Sequence, residues 1–297
     1  MKVFLRPLLG VWLLVLSATI AGAEDRPRIV AVNYPLQYFA ERLLDDTAEV
    51  LMPVPADVDP SFWRPSIADI SMIQSADLIL LNGAGFATWV DRVSLPRSKL
   101  TNTAKAFEDQ FIVTESITHS HGDGGEHSHE GLASYTWLDP LLASMQAEAV
   151  ADAIISRGLA DAQSVNARLA TLQADLAALD QQARASLAGL QGVAMIATHP
   201  RYQYLAQRYN LSIISLEWEA GVTPNEAQIA DLRALVADSG ARVLIWEAAP
   251  PAEAREVASG LGLQNVVFSP LAHGPEENDF VGLFSRSLAL MSDVSLR

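Results

Sequence analysis

The sequence predicts an α/β protein of two similar lobes with parallel sheets, joined by one long spine helix, with a ligand cleft between the lobes. Three observations support this prediction. Short apolar strands alternate with helices over residues 28–85, and the alternation repeats over residues 192–270. A continuous helical pattern at residues 161–190 separates the two regions. Strands that alternate with helices are typical of βαβ units, which build parallel sheets.

The first lobe is predicted to have strands at residues 28–33, 50–54 and 76–85, because each is a short apolar run. The segments PLQYFAERLL and IADISMIQSA are interpreted as the helices that follow the first two strands. The third strand, ADLILLNGAG, ends in a glycine turn, as expected where a buried parallel strand reaches the edge of its sheet. PADVDPSFWRPS (55–66), rich in Pro and Asp, is predicted to be a loop.

The spine is predicted from the segment that follows YTWLDP. Asp139-Pro140 is a typical helix start, with an N-cap side chain followed by proline at the first helical position. Gly158 interrupts the helical pattern and Asp161 restarts it. The apolar positions that then recur at three- and four-residue spacing are Leu169, Leu172, Leu176 and Leu179. Because this helix stands alone between two α/β regions, a spine is favoured over a coiled coil.

In the second lobe the predicted strands are GVAMIATH, LSIISLEW, ARVLIWEA and NVVFSP, and helical segments separate them. Ligands of open parallel sheets bind at the carboxyl ends of strands, so two facing lobes predict a shared cleft. The predicted organisation is a signal peptide (1–23), an N-terminal lobe (24–160) with a His-rich loop (119–130), a connecting helix (161–190) and a C-terminal lobe (191–297).

The first residues have the features of an export signal. Lys2 and Arg6 accompany an apolar run from Leu8 to Ile20, and Ala21-Gly22-Ala23 has the form of a signal-peptidase site. The run is too short for a comfortable transmembrane helix, which favours a cleaved signal over an uncleaved anchor. We therefore expect cleavage after Ala23 and a soluble, monomeric protein in the periplasm.

The composition excludes several classes of partner and site. The net charge is −15, and loss of the two basic leader residues would make it two units more negative. Such a surface repels nucleic acid and attracts cations, so no nucleic-acid partner is expected. The chain has no cysteine, which excludes disulfides, thiolate metal sites and thiol-linked lipid attachment.

HSHGDGGEHSHEG (119–131) contains four of the six histidines: His119, His121, His127 and His129. Imidazole suits zinc, copper and nickel, and the Gly-rich backbone predicts a loose, exchangeable site. The alternative is a solvated spacer, since the Gly and Ser content is also typical of linkers. We favour metal binding, with the loop as an auxiliary collecting segment beside a principal site elsewhere.

Enzyme signatures are absent from the sequence. No G-x-S-x-G elbow, glycine-rich phosphate loop or H-E-x-x-H motif occurs, which favours a binding protein over an enzyme. Aromatic residues are usually core residues, and we expect this of Trp137 and Trp246. For Trp63, Tyr135 and Trp218 a core position and a cleft position both stay open.

Several segments together resemble the solute-binding proteins of zinc and manganese ABC transporters. They are DPSFWRPSIADISMIQSADLILLNGAGFATWVDRV, the His-rich loop, YTWLDP, the long helix, THPRYQYLAQRYNL and NVVFSPL. The resemblance extends over essentially the whole mature chain. It implies two α/β lobes on one rigid helix, a metal in the cleft, and a membrane permease as partner.

The ligand positions implied by the resemblance depart from the family pattern. That pattern supplies three histidines and a carboxylate from four loops, and His199 matches one histidine. Ser61 and Tyr135 stand where the other histidines would be, and Ser269 stands at the carboxylate position. Zinc prefers four strong nitrogen, sulfur or carboxylate ligands, so these replacements predict a weak site unless other groups enter.

Four nearby residues are candidates to replace the missing ligands: Asp59, Glu219, Glu247 and His273. We expect the chain to capture divalent metal for an ABC permease. Zinc is the expected cargo, with Mn²⁺ or another divalent metal as alternatives. The loss of three ligands beside several aromatic residues favours a second hypothesis, a protein of the same fold that binds a metal chelate or another small solute.

Overall fold

A computed structural model describes residues 26–114, 131–218, 221–275 and 278–295, together with the backbone of residues 118–120 and 126–128. The predicted signal peptide lies outside the described residues. So do His121 and His129 of the His-rich loop.

The first lobe contains a parallel sheet and its helices. Its elements are β1 (Arg28–Ala31), α1 (Tyr34–Leu44), β2 (Glu49–Leu51), α2 (Ile67–Ser75), β3 (Leu78–Leu81) and β4 (Leu100–Asn102). The described strands lie in the order β2-β1-β3-β4, and each neighbouring pair is parallel. Short strands follow: β5 (Val113–Thr114), β6 (Thr118–Ser120), β7 (Glu126–Ser128) and β8 (Gly131–Leu132). β5 pairs with β8 and β6 with β7, both antiparallel.

Two long helices come next in the sequence, and a second parallel sheet follows them. The remaining elements are α3 (Pro140–Ser156), α4 (Ala162–Leu187), β9 (Ala194–Ala197), α5 (Gln203–Tyr209), β10 (Ser212–Ser215), α6 (Glu226–Ser239), β11 (Val243–Trp246), α7 (Ala252–Gly260), β12 (Gln264–Val267) and α8 (Phe280–Ser292). The strand order is β10-β9-β11-β12, the same crossover pattern as in the first lobe. Short 3-10 helices lie at Asp45–Thr47, Thr88–Arg92, Arg97–Lys99, Lys105–Gln110, Thr136–Leu138 and Ala188–Leu190.

Side-chain caps explain where several helices begin. Asp139 accepts a hydrogen bond from the Leu141 amide at 2.8 Å and is followed by Pro140, as the sequence predicts. Asp161 caps the spine helix α4 in the same way through the Ser164 amide, at 2.8 Å. These caps satisfy amide groups that have no partner within the helix.

The spine helix α4 packs against α3 and α8. Its 26 residues span about 39 Å at 1.5 Å per residue. The predicted leucine stripe is largely confirmed, because Leu172, Leu176 and Leu179 are buried, whereas Leu169 is partly buried. The helix therefore contributes one apolar face to a core that reaches both lobes.

Direct contacts also join the lobes. The Trp137 indole Nε1 donates a hydrogen bond to the carbonyl of Pro270 at 2.8 Å. The amide of Tyr34 donates to the carbonyl of Ala272 at 3.0 Å. Both contacts connect the first lobe to the segment after β12, so they fix the lobes on either side of the cleft.

The predicted fold class is confirmed: two similar parallel-sheet lobes are joined by one long helix. Among the strands and α-helices, β4 to β8 and α8 were not predicted. β4 has only three residues, LTN, too few and too polar for a hydrophobic pattern to reveal. α8 buries Phe280, Phe284, Leu288 and Met291, a helical spacing that the sequence does carry. Among the helices of the described chain, none has the length and apolar character to cross a membrane.

The burial of one face of the spine helix α4 predicts that shortening a side chain on this face lowers stability. Leu176→Ala removes a fully buried side chain from α4 and leaves a cavity, so we expect the free energy of unfolding to fall by about 2–5 kcal/mol. Urea unfolding followed by circular dichroism measures this change. Gln181→Ala, at an exposed position of the same helix, is the matched control and should change the free energy by less than about 0.5 kcal/mol. Equal effects of the two variants would contradict a buried spine.

Candidate ligand-binding cleft

A cavity of about 1060 Å³ lies between the two lobes. Its walls come from the loop after β2, the segment before the Thr136–Leu138 turn, and the residues that follow β9, β11 and β12. These three strands are parallel neighbours, so their carboxyl ends meet at one edge of the second sheet. This is the position at which open α/β sheets bind ligands.

The guanidinium group of Arg201 lies at the centre of the cleft. Its Nε donates a hydrogen bond to Glu247 Oε1 at 3.1 Å, and its Nη2 donates to Asp59 Oδ2. Its Cζ atom lies 4.6 Å from the centre of the Tyr135 ring. The Arg201 side chain is only 8% exposed, so this cation is removed from water and compensated by two carboxylates and an aromatic face.

Arg201 connects the lobes through Asp59. Asp59 belongs to the first lobe, and its Oδ1 accepts hydrogen bonds from the Ser61 amide at 2.8 Å and the Ser61 hydroxyl at 2.6 Å. Burial acts to raise the pKa of Asp59, but the Arg201 charge and the Ser61 hydrogen bonds outweigh it and the pKa is lowered. Asp59 is therefore a carboxylate at neutral pH, already occupied by donors.

Glu247 follows β11 directly and is the second carboxylate at the centre. Its side chain is 11% exposed, and burial raises its pKa above the ordinary 4.5, although Arg201 opposes this effect. Asp59 acts in the same direction as burial, because it is a like charge nearby. The two carboxylates share one cation, which lies between them.

Tyr135 is held in place by a buried polar network. The Asn82 side-chain amide donates to the carbonyl of Ser134 at 2.9 Å, and the Thr136 hydroxyl donates to Gln146 Oε1 at 3.0 Å. The Tyr135 ring packs against Trp137, with the ring centres 4.7 Å apart. Burial raises the pKa of Tyr135 well above 10.0, so its phenol is neutral at physiological pH.

His199 reaches the cleft from the carboxyl end of β9. The Thr198 amide bonds the Ile245 carbonyl at 2.9 Å, and the Trp218 amide bonds the Thr198 carbonyl at 2.8 Å, which continues the sheet up to His199. The His199 Nδ1–H donates to the Trp218 carbonyl at 2.9 Å. Because a carbonyl can only accept, Nδ1 carries a proton in this contact.

Three further predicted residues have defined positions. His273 lines the cleft, and its Nε2–H donates to the carbonyl of Val58 across the lobe boundary. Ser269 also lines the cleft, and its hydroxyl accepts from the Leu271 amide at 3.4 Å. Ser61 is buried beside Asp59 and orients that carboxylate.

Aromatic and basic side chains form the outer part of the cleft. Trp63 and Trp89 pack edge to face in its wall, with ring centres 5.5 Å apart, and Phe62 is 42% exposed beside them. Arg64 and Arg92 line the same region and are exposed. The cleft is therefore apolar over much of its wall and basic near its mouth.

The structure brings most of the predicted cleft residues together. Asp59, Tyr135, His199, Glu247, Ser269 and His273 all line the cavity. Of the residues left open, Trp63 lines the cavity, whereas Trp218 packs against Trp246 in the core of the second lobe. Trp137 is fully buried, as expected. Glu219 lies outside the described residues.

The His-rich loop is described only in part. The backbone of β6 and β7 pairs antiparallel, with His119 opposite His127 in register. His121 and His129 are not among the described residues. The proposed auxiliary metal site in this loop stays a prediction.

Sequence reasoning missed Arg201. It lies two residues after His199 in THPRYQYL, but a single arginine has no spacing signature. Its two carboxylate partners lie 142 and 46 residues away along the chain, so only the fold reveals the cluster.

The described residues lack an obvious metal cage. Within them, no three His, Asp or Glu side chains lie close enough together to hold a metal ion. His199 and His273 are the histidines of the lining, and Arg201 holds the Asp59 and Glu247 carboxylates. Among the other oxygen groups of the lining, the Asp57 carboxylate is exposed, and the Ser269 hydroxyl and the Tyr135 phenol are poor zinc ligands.

A family profile described as zinc-uptake complex component A, periplasmic, matches residues 29–294. The chain belongs to this family. Zinc-binding lipoprotein AdcA of Streptococcus pneumoniae is 26% identical over 277 residues, which cover 91% of this chain and 55% of AdcA. The high-affinity zinc uptake system protein ZnuA of Bacillus subtilis is 24% identical over 279 residues, covering 90% and 86%. The chain thus spans about half the length of the streptococcal relative.

Solved structures of the family share the fold. The metal-dependent lipoprotein YcdH of Bacillus subtilis superposes with a TM-score of 0.75 at 20% identity, covering 91% of this chain and all of that one. Zn(II)-bound AdcA of S. pneumoniae gives 0.74 at 19% identity, covering 90% and 57%. FpvC of Pseudomonas aeruginosa, in complex with Mn²⁺, gives 0.70 at 20% identity, covering 90% and 96%. The family is one of solute-binding proteins rather than enzymes.

The ion pair between Asp59 and Arg201 predicts a contribution to stability that depends on pH. Asp59→Asn removes the ion pair across the cleft, so we expect the free energy of unfolding at neutral pH to fall by about 1.5–3 kcal/mol. The pKa of Asp59 is lowered from 3.8 in the folded chain, so its contribution is present above that value and is lost as the pH falls through the folded pKa. The difference between wild type and variant should therefore shrink in acid.

Urea unfolding at about pH 7 and about pH 3 checks this prediction. Asp57→Asn is the matched control, because Asp57 lies in the same loop and is exposed. The effect of Asp57→Asn on the free energy of unfolding should be the same at both pH values. A constant Asp59→Asn effect at both pH values would show that the ion pair contributes nothing to stability.

Proposed function

We propose that this chain is the solute-binding component of an ABC transporter that takes up divalent metal, with zinc as the expected cargo. It captures the metal in the periplasm and delivers it to a membrane permease. The observation that carries the proposal is membership of the zinc-uptake family over residues 29–294, together with a cleft between two lobes at the carboxyl ends of parallel strands. Relatives named for zinc binding and zinc uptake support zinc, and the Mn²⁺ complex of FpvC supports Mn²⁺ or another divalent metal as the alternative.

The proposal includes a role for the chain as a monomer that binds and does not catalyse. Cleavage after Ala23 would release it into the periplasm. Residues 24–160 would form the N-terminal lobe, 161–190 the connecting helix and 191–297 the C-terminal lobe.

Two regions are proposed to contact metal. The principal site is the cleft at His199, whose Nδ1 bonds the carbonyl of Trp218. The His-rich loop, with His119, His121, His127 and His129, is proposed as the auxiliary collecting segment. β8 (Gly131–Leu132) connects this loop to Tyr135, so the loop starts and ends near the cleft.

A second candidate function is a binding protein of the same fold for a metal chelate or another small solute. The observation that favours it is Arg201, which holds the cleft carboxylates that a bare ion would need. The cavity of about 1060 Å³ also far exceeds the volume of one ion and lies at the upper end of the range for small-molecule sites.

Zinc titration of the purified mature chain, against a competing chelator, tests the principal proposal. We expect binding of at least one equivalent below about one micromolar, because delivery requires capture from dilute solution. Deletion of residues 119–129 should remove the equivalents that depend on the loop imidazoles and leave binding in the cleft, which is titrated with zinc alone and with zinc complexed to an organic chelator. His199→Ala should affect only the cleft.

The two regions are separated by comparing these variants. If the deletion abolishes the binding of zinc in both forms while His199→Ala changes nothing, the principal site does not lie in the cleft. If the full mature chain binds neither zinc nor another first-row divalent ion, alone or complexed, at micromolar concentrations, the transport proposal is wrong.

Mass spectrometry of the protein under non-denaturing conditions tests the second candidate. The protein is isolated from its native periplasm without chelators. A bound organic species that disappears on denaturation is expected if the cleft holds a chelate or small solute. A mass increase that corresponds to a metal ion alone would exclude this candidate.

A further inference from the structure

The cleft carries a fixed positive charge at its centre. Arg201 comes from the second lobe and bridges Glu247 of that lobe to Asp59 of the first. A bare divalent ion bound to these carboxylates would have to displace a buried guanidinium from both partners.

We propose that Arg201 determines the specificity of the cleft: it withholds Asp59 and Glu247 from a bare divalent ion, so that metal enters the cleft complexed to an anionic organic chelator. This inference rests on the proposed function and specifies the form in which the cargo is bound.

Hydrogen bonding at the centre supports the exclusion of a bare ion. Asp59 Oδ1 accepts two hydrogen bonds from Ser61 and its Oδ2 accepts one from Arg201, while Glu247 Oε1 accepts one from Arg201. A second cation at the same place would lie beside the guanidinium charge and be repelled by it. Displacing Arg201 would leave its own charge buried and uncompensated.

The residues around Arg201 do not make up a metal site without the two carboxylates that Arg201 holds. His199 and His273 supply at most two nitrogen ligands, whereas zinc requires about four strong ligands. Tyr135 lies with its ring against the guanidinium, and burial keeps its phenol neutral. A metal ion that brought its own chelator would need fewer ligands from the protein.

The size and lining of the cavity fit an organic ligand. Its volume of about 1060 Å³ would accommodate a chelator of drug size. The wall formed by Phe62, Trp63 and Trp89 offers apolar surface that no hydrated ion could use. Such walls bury the carbon skeleton of a ligand, while a few polar groups fix its orientation.

The arginines of the lining offer charged partners to an anionic chelator. Three arginines (Arg64, Arg92, Arg201) and three carboxylates (Asp57, Asp59, Glu247) line the cavity, so its formal charge is zero with neutral histidines. The whole chain carries −15, which makes the cleft far less attractive to cations than the remaining surface. Arg64 and Arg92 are exposed near the mouth, and guanidinium groups match carboxylates in geometry.

The test uses the mature chain lacking residues 119–129, here called the parent, so that the His-rich loop does not contribute. Isothermal titration calorimetry is run with zinc alone in a non-coordinating buffer, with zinc citrate, and with citrate alone. Citrate is the probe because it is an anionic polycarboxylate that chelates zinc. We expect the parent to bind zinc citrate more tightly than citrate alone and to take up no equivalent of zinc alone.

Arg201→Gln removes the fixed cation but keeps a polar side chain of similar length. We expect this variant to bind zinc alone at least about tenfold more tightly than the parent, because Asp59 and Glu247 become available beside His199. Adding His199→Ala to Arg201→Gln should abolish the gain. Arg201→Lys keeps the positive charge, so this variant should bind zinc alone no more tightly than the parent. Arg233→Gln, at an exposed position of α6, is the control for net charge and should behave as the parent.

One equivalent of zinc alone bound by the parent and lost on His199→Ala would overturn the inference while leaving the proposed function intact. This measurement does not depend on the folding of Arg201→Gln. A folded Arg201→Gln variant with unchanged or weaker zinc binding would also overturn it, as would a parent that binds zinc citrate no better than citrate. In that last case the full mature chain, titrated with zinc, decides separately whether the proposed function survives.

Discussion

The ion pairs of Arg201 with Asp59 and Glu247 are the interaction around which the cleft is organised. They place one buried cation between two lobes, and a buried charge is tolerated only when its partners are held in position. Ser61 fixes Asp59, the β11 strand end fixes Glu247, and the Asn82 network fixes the segment that carries Tyr135. The geometry of the site therefore depends on elements from the whole chain.

The scaffold explains why these groups can meet. The same strand order in both sheets directs the carboxyl ends of β9, β11 and β12 towards the first lobe, and α4 packs with α3 and α8 to give one continuous apolar core. Contacts such as that of Trp137 with Pro270 then fix the distance between the lobes. A family that binds solutes between two lobes on a rigid helix provides a cleft whose lining can change while its frame stays the same. Here the lining contains an arginine that is paired with two carboxylates.

Sequence reasoning succeeded where the signal is local. The caps at Asp139 and Asp161 and the spacing of Leu172 and Leu176 each depend on residues within one or two helical turns. The family resemblance also predicted a cleft role for His199, and Glu247 was one of the candidate replacement ligands; both line the cavity. Arg201 was not predicted, because its meaning comes from partners that are distant in sequence and from the burial of its charge. β4 was missed because a strand of three residues carries too little pattern.

The direct test of the central claim is a crystal structure of the mature chain grown with zinc and measured at the zinc absorption edge. Anomalous scattering locates each zinc atom independently of its assumed ligands. The account predicts that the guanidinium of Arg201 stays between Asp59 and Glu247, with no anomalous peak within bonding distance of either carboxylate. A zinc peak bonded to Asp59 or Glu247, with Arg201 turned away from both, would contradict it.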